Sequence, residues 1–155
     1  MFRKILTSSL AAVVITSAAV VASAAPASAA DQPVWCGDWL QDPNKASGIK
    51  PVPNTGMSVP GTSNTSIQVN EGQYGGRWFA WAKVYNPEQT GQVALIWRYK
   101  GNQGLYQCGS RDGSTGWSWD YTAGVRDTQA SLVQAKYSRN GAFGPVYYAA
   151  AVAWR

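Results

Sequence analysis

Alternation of side-chain character with a period of two constrains this chain more than any other feature. Residues 117–126 carry an aromatic or apolar residue at every odd position and a polar residue or glycine at every even one. In 77–85, 92–100 and 146–155, which are rich in aromatic and apolar residues, a period of two likewise separates two sets of side chains. Because successive side chains of a β-strand point to opposite faces of a sheet, these four segments predict strands. Three shorter strands are predicted at 66–70, 105–108 and 131–138.

Turn signals separate the predicted strands. Asn86-Pro87 and Asn140-Gly141 are two of them, and both pairs are typical of tight turns. Short strands at regular spacing favour an all-β fold, an antiparallel β-sandwich or small barrel of about seven strands, over one with parallel crossovers. Residues 128–136 also have acceptable helix propensity, so strand and helix both stay open there.

The segment before residue 66 has a different composition. It contains five prolines among residues 31–65, which are Pro33, Pro43, Pro51, Pro53 and Pro60. Such punctuation opposes regular structure. The sequence therefore predicts a long irregular N-terminal arm over 31–65, with a long exposed loop over 46–65, followed by an antiparallel β domain over 66–155.

Residues 1–30 have the three parts of an export signal. Arg3 and Lys4 form a positive start, 5–21 is rich in alanine and valine, and 27–30 consists of small residues suited to cleavage before Asp31. This alanine-rich leader resembles bacterial export leaders. A retained membrane helix is the competing interpretation, but serine, threonine and proline interrupt the apolar run. We expect a signal peptide, a secreted mature protein and no membrane association after cleavage, since no later segment approaches about 18 continuous apolar residues.

Export changes the interpretation of the two cysteines. Outside the cytoplasm, Cys36 and Cys108 are expected to form one disulfide that ties the N-terminal arm to the β domain. Two reactive thiols are the alternative, but neither cysteine has a histidine or CxxC context that would activate it.

The residue inventory argues against catalysis. The chain has no histidine, which excludes Ser-His-Asp and Cys-His catalysis and histidine-containing zinc sites. Of its 8 acidic residues, Asp120 alone falls within a long predicted strand, and no spacing pairs two of them as a glycosidase requires. Without the leader cations Arg3 and Lys4, the 13 basic and 8 acidic residues leave a net charge of +3, a weak footprint for nucleic acid. We expect a non-enzyme with no catalytic residues, no cofactor, no metal and no nucleic-acid partner.

An excess of aromatic residues is the main functional clue. All 8 Trp and all 8 Tyr lie beyond residue 30, and a sandwich core of this size readily accommodates several of them. In the 77–85 strand, however, Trp78 faces opposite to Phe79, Trp81 and Tyr85, so one set is exposed unless both faces are covered. The candidate binding residues are Trp39, Arg77, Trp78, Phe79, Trp81, Tyr85 and Arg98.

Three binding functions fit these features. The first is a protein-binding adaptor or subunit of an extracellular toxin or envelope assembly, which would use the N-terminal arm or a terminal strand for β-augmentation. The alternative is a module that binds cell-envelope glycan or another polysaccharide by stacking sugar rings on aromatic side chains. The second alternative is a secreted protease inhibitor, whose reactive loop would contain Lys50-Pro51, Met57-Ser58 or Arg111-Asp112.

Overall fold

Two antiparallel β-sheets packed face to face make up the described part of the molecule. The structure is a computed structural model that describes residues 32–112, 118–141 and 144–155, without the side chains of 110–112. The predicted leader, its cleavage point before Asp31, and Trp117 lie outside these residues.

The described strands follow one another along the chain with mostly short connections. They are β1 (Trp39–Leu40), β2 (Ser47–Pro51), β3 (Met57–Ser58), β4 (Ser66–Tyr74), β5 (Arg77–Tyr85), β6 (Gln92–Tyr99), β7 (Leu105–Asp112), β8 (Trp119–Tyr121), β9 (Gly124–Arg126), β10 (Ala130–Ser138), β11 (Val146–Tyr148) and β12 (Val152–Ala153). A single turn of 3-10 helix, Pro43–Lys45, lies between β1 and β2 and is capped by the Asp42 side chain on the Asn44 amide. Among the described residues, no helix has the length and apolar character needed to cross a membrane.

The strand order defines a sandwich. The seven-stranded sheet has the order β1-β9-β5-β4-β2, with β3 also beside β4 and β8 also beside β5. The five-stranded sheet has the order β11-β10-β6-β7, with β12 also beside β10. The paired strands are antiparallel. The predicted all-β sandwich is therefore confirmed.

The core lies between the two sheets. Ala80, Ala82 and Val84 of β5 contribute to it from one sheet, and Leu95 and Trp97 of β6 from the other, all at 1% exposure or less. Phe79 and Trp81 of β5 point away from this core, as the alternation predicted. Side chains that face outward on the seven-stranded sheet form what we call its outer face.

The long strands match the predicted alternation. The 77–85 prediction coincides with β5, the 92–100 prediction with β6, and the segment left open between strand and helix is strand β10. The predicted 117–126 strand divides into β8 and β9. At the break, the Thr122 amide donates to the Ala82 carbonyl at 2.9 Å, and the Ala82 amide donates to Thr122 Oγ1 at 3.1 Å. A side-chain hydroxyl therefore takes the place of the backbone carbonyl that would accept this amide in a continuous strand pair.

The N-terminal segment differs from its prediction. The strands begin at Trp39 rather than at residue 66, and β2 and β3 pair with β4. Val52 and Val59 are buried, and the Thr55 hydroxyl accepts the Val69 amide at 3.0 Å. The expected loop over 46–65 contains the strands β2 and β3, while most of its residues are exposed as expected and Val52 and Val59 contribute to the core.

Candidate binding surfaces

The predicted disulfide is present and fixes the N-terminal segment. Cys36 is bonded to Cys108 of β7. Beside this bond the Trp35 amide donates to the Gln107 carbonyl at 3.0 Å, and four residues later the chain enters the other sheet as β1. Residues 33–40 therefore cross from the edge of one sheet to the edge of the other and close that side of the sandwich.

Four aromatic rings support this crossing. The Trp35 ring centroid lies 5.0 Å from that of Trp97, 5.0 Å from that of Tyr99 and 4.9 Å from that of Tyr106. The indole N–H of the fully buried Trp97 donates to the Trp35 carbonyl at 2.8 Å. Edge-to-face and tilted ring pairs of this kind stabilise beyond the area they bury. The segment thus has a rigid base as well as a covalent anchor.

On this base the chain exposes large apolar side chains. Val34 is 73% exposed, Trp35 37% and Trp39 57%. Tyr74 and Arg77 flank the β4–β5 hairpin, and their side chains are about half exposed (47% for the residue Tyr74, 55% for the Arg77 side chain). We call the set Val34, Trp35, Trp39, Tyr74 and Arg77 the N-terminal surface.

A shared carboxylate joins Arg77 to this segment. Asp38 Oδ2 lies 2.7 Å from Arg126 Nη1 and 3.8 Å from Arg77 Nη1. The Asp38 amide donates to the Gln129 side chain at 2.6 Å. The two guanidinium groups therefore share one carboxylate, which belongs to the residue before Trp39.

Of the predicted binding residues, Trp39 is exposed on the edge strand β1 and Arg77 is linked to the neighbouring Asp38, but Phe79 and Trp81 are buried. Phe79 is 5% exposed and Trp81 2%. The N-terminal segment covers both: a Cβ placed on Gly72 would meet Ala46 Cβ at 3.0 Å and the Trp81 ring at 3.1 Å, and one on Gly124 would meet Phe79 Cβ and Leu40 Cβ at 3.3 and 3.5 Å. The binding role predicted for these two residues does not fit their burial.

Trp78 and Arg98 lie elsewhere. Trp78 is half-buried on the core side, with the Arg155 guanidinium carbon 3.8 Å from its ring centroid. Arg98 is half-buried on β6, in the other sheet. The sequence pattern therefore grouped residues that belong to several separate environments.

A buried carboxylate accompanies Trp78. Glu71 of β4 is 5% exposed and accepts the Trp154 indole N–H at 2.8 Å and the Arg155 guanidinium at 3.0 and 3.1 Å. Lys50 Nζ lies 3.4 Å away. Burial alone raises the pKa of Glu71, but hydrogen bonds from Arg155 and Trp154 outweigh it and hold the pKa below its ordinary value. These saturated contacts describe a structural ion cluster rather than a proton-transfer group.

A second group of aromatic residues occupies the outer face. Lys83 and Tyr85 of β5 pair with Tyr121 and Trp119 of β8. We call these four residues the outer-face aromatic group. Of the four, Tyr85 alone was among the candidates, although the alternation in 117–126 marked the other two aromatics. Lys83 is also a basic residue that the sequence offers for a binding role on this strand, but its position beside β8 depends on a strand pairing that no local pattern encodes.

The candidate inhibitor loops are not protruding loops. Lys50 and Pro51 belong to β2, Met57 and Ser58 form β3, and the Lys50 ammonium is engaged by Glu71. Arg111 and Asp112 end β7.

Comparison with known proteins adds no assignment. The chain matches no protein-family model, no curated protein and no solved structure. Within the described ranges, no three His, Cys, Asp or Glu side chains are grouped so as to hold a metal ion.

Proposed function

We propose that this is a secreted, non-catalytic protein that binds a protein partner through the N-terminal surface, as an adaptor or subunit of an extracellular toxin or envelope assembly. The observation that supports it most is Trp39, which is 57% exposed in a segment held by a disulfide three residues away. An indole fixed in water exposes a large apolar area that a partner would cover.

The composition of the surface favours a protein ligand. Trp, Tyr and Arg are the residue types enriched in the energetic centres of protein interfaces, and Trp39, Tyr74 and Arg77 supply one of each. Contiguous exposed apolar side chains on a small domain mark interaction sites. Because the segment is already ordered, binding costs less conformational entropy than the folding of a free arm would.

The charge pattern describes the partner further. Asp38 is shared by Arg77 and Arg126, so a pair of guanidinium groups with one shared carboxylate borders the segment that carries Trp39. A partner with an apolar pocket bordered by carboxylates would complement it, and such complementarity raises association rates and selects partners.

The other parts of the proposal have separate support. The leader composition and a disulfide in a small β domain suit export to an oxidising compartment. The absence of histidine from the sequence favours binding over acid-base chemistry at neutral pH.

The test is capture followed by a matched pair of variants. The mature chain is immobilised, culture supernatant of the producing cells is passed over it, and the captured protein is identified, purified and titrated. Trp39→Ala should weaken its binding at least about 20-fold, as expected for a central tryptophan. Ile49→Ala, which truncates an apolar side chain of 46% exposure on β2, should change it less than about threefold. Equal affinities of the two variants, or no specifically captured protein, would overturn the proposal.

A further inference from the structure

The outer face of the seven-stranded sheet has a part that the N-terminal segment leaves uncovered. Phe79 and Trp81 are buried beneath that segment, whereas Lys83 and Tyr85, next on the same face of β5, are half-buried. Trp119 and Tyr121 of β8 are half-buried beside them. The outer-face aromatic group is therefore a part of this face that is accessible to solvent.

The lysine is held among the rings. Lys83 Nζ lies 4.8 Å from the ring centroid of Tyr85 and 4.8 Å from that of Trp119. The Trp119 and Tyr121 rings stack with centroids 5.4 Å apart and planes 21° apart. Cation–π contacts attract the ammonium group to the two rings and hold its position without an opposite charge.

Polar side chains border the rings on two sides. Gln68, which pairs with Lys83 across β4 and β5, directs its amide N–H groups to Asn70 Oδ1 (2.6 Å) and the Tyr85 hydroxyl (3.3 Å). From the 3-10 turn, Asn44 donates to the Tyr121 hydroxyl (2.8 Å), which donates to Asp42 (3.0 Å). Amides and phenols both donate and accept, as the hydroxyl groups of a sugar do.

The charge of this region is unbalanced at Lys83. Among the described residues, Lys83 has no carboxylate within ion-pair distance, while Asp38, Glu71 and Glu88 each have a basic partner. Two acids lie near the border: Asp42 is engaged by the Tyr121 hydroxyl and the Asn44 amide, and Asp120 of β8 accepts the Tyr121 amide. Within the described part of the chain, Lys83 is thus a cation held by rings and not by an ion pair, with amide groups beside it.

We infer that the outer-face aromatic group is a second binding site, for an anionic saccharide. The carboxylate or phosphate of the sugar pairs with Lys83, the apolar face of the pyranose ring contacts the aromatic side chains, and its hydroxyl groups bond to Gln68 and Asn44. A protein ligand fits this region less well than the N-terminal surface, because the rings are half-buried and bordered by amides. The site lies on a different surface from the proposed protein interface and takes a different class of ligand.

The experiment measures binding of defined oligosaccharides to the mature chain by titration calorimetry. Tetragalacturonate supplies the carboxylate, mannose 6-phosphate the phosphate, and galactotetraose is the neutral reference. We expect one of the two acidic probes to bind at least tenfold more tightly than galactotetraose, with an affinity that falls as salt is raised. Which acidic probe binds tells carboxylate from phosphate.

Variants then locate the site. Lys83→Met should remove at least tenfold of the affinity for the acidic probe, while Lys136→Met, which removes the same charge from the other sheet, should leave it within twofold. Trp119→Ala should abolish binding, with circular dichroism and thermal unfolding reporting whether the fold is intact. If Trp119→Ala does not fold, Gln68→Ala on the neighbouring strand β4 should independently reduce the affinity for the acidic probe.

Three results would overturn the inference: no binding of either acidic probe, equal binding of the acidic and neutral probes, or equal effects of Lys83→Met and Lys136→Met. Trp39→Ala should not change saccharide affinity. Failure here therefore leaves the proposed protein interface untouched, and failure of the protein interface leaves this site untouched.

Discussion

The side of the sandwich formed by β7 and β1 is joined by a covalent bond, whereas the opposite side, at β12 and β4, is joined by a buried carboxylate. On the first, Cys36–Cys108 fastens the crossing segment and Trp35 packs on Trp97. On the second, Glu71 of the seven-stranded sheet binds Trp154 and Arg155, which follow β12 of the five-stranded sheet. We call them the disulfide side and the carboxylate side.

The disulfide and the Glu71 cluster act on different states of the chain, the unfolded and the folded state. A disulfide stabilises mainly by restricting the unfolded chain, so its contribution depends on redox conditions and hardly on pH. The Glu71 cluster stabilises the folded state through charge, so its contribution depends on pH and not on reductant. The proposed protein interface lies on the disulfide side, where a covalent bond fixes the backbone and its contribution hardly depends on pH.

Removing the covalent joint should have the largest effect. Cys36→Ala with Cys108→Ala opens a link between residues 72 apart in sequence, which corresponds to about 4 kcal/mol of unfolding free energy in the chain-entropy model. Urea unfolding at pH 7 measures it, and reduced wild-type protein should behave like the double variant. A loss below about 1 kcal/mol would mean that the four-ring cluster alone holds this side.

The sequence predicted the parts of the fold that depend on alternation. The strands β5 and β6 follow from period-two patterning because each has one face in the core, whereas over most of β10 the sequence left strand and helix open. Gly75-Gly76, with φ of 57° and 73°, forms the two-residue turn between β4 and β5, and this pair was not among the predicted turns. The two cysteines allowed one pairing, and that pairing is present.

What could not be predicted depends on which segment covers which face. The burial of Phe79 and Trp81 arises from Leu40 and Ala46, about 35 to 40 residues away in sequence, and no local pattern encodes that contact. The same coverage decides that Phe79 and Trp81 are buried while Lys83, further along β5, is half-buried. Proline-rich segments were read as loops because proline weakens strand propensity, but a short edge strand such as β2 accepts Pro51 at its end.

The carboxylate side should contribute about half as much as the disulfide. Glu71→Gln keeps a hydrogen-bond acceptor but leaves Arg155 and Lys50 without their anion, and hydrogen bonds to a buried charge are worth about 2 kcal/mol. Urea unfolding at pH 7 measures the loss. Glu88→Gln is the matched control, because its ion pair with Arg139 is more exposed and should cost less than about 1 kcal/mol. Equal losses would remove the distinction between a buried and a surface carboxylate.

The same variant should change the pH dependence. The pKa of folded Glu71 is lowered, so its contribution is present above the pKa of the unfolded chain and is lost as pH falls through the pKa of the folded state. The stability difference between wild type and Glu71→Gln should therefore shrink on acidification below about pH 4. The effect of removing the disulfide should stay constant over that range. A difference for Glu71→Gln that grows at low pH would reverse the sign assigned here.

The smallest expected effect separates the indole bond from the ion pair. Trp154→Phe removes the N–H that donates to Glu71 at 2.8 Å and keeps an aromatic ring in the core, so we expect a loss of about 1 kcal/mol. Because both residues belong to one cluster, the double variant with Glu71→Gln should lose less than the sum of the two single losses, as double-mutant cycles show for residues in contact. If the losses add fully, Trp154 stabilises this side by packing alone. The carboxylate would then join Arg155, and not the indole, to the seven-stranded sheet.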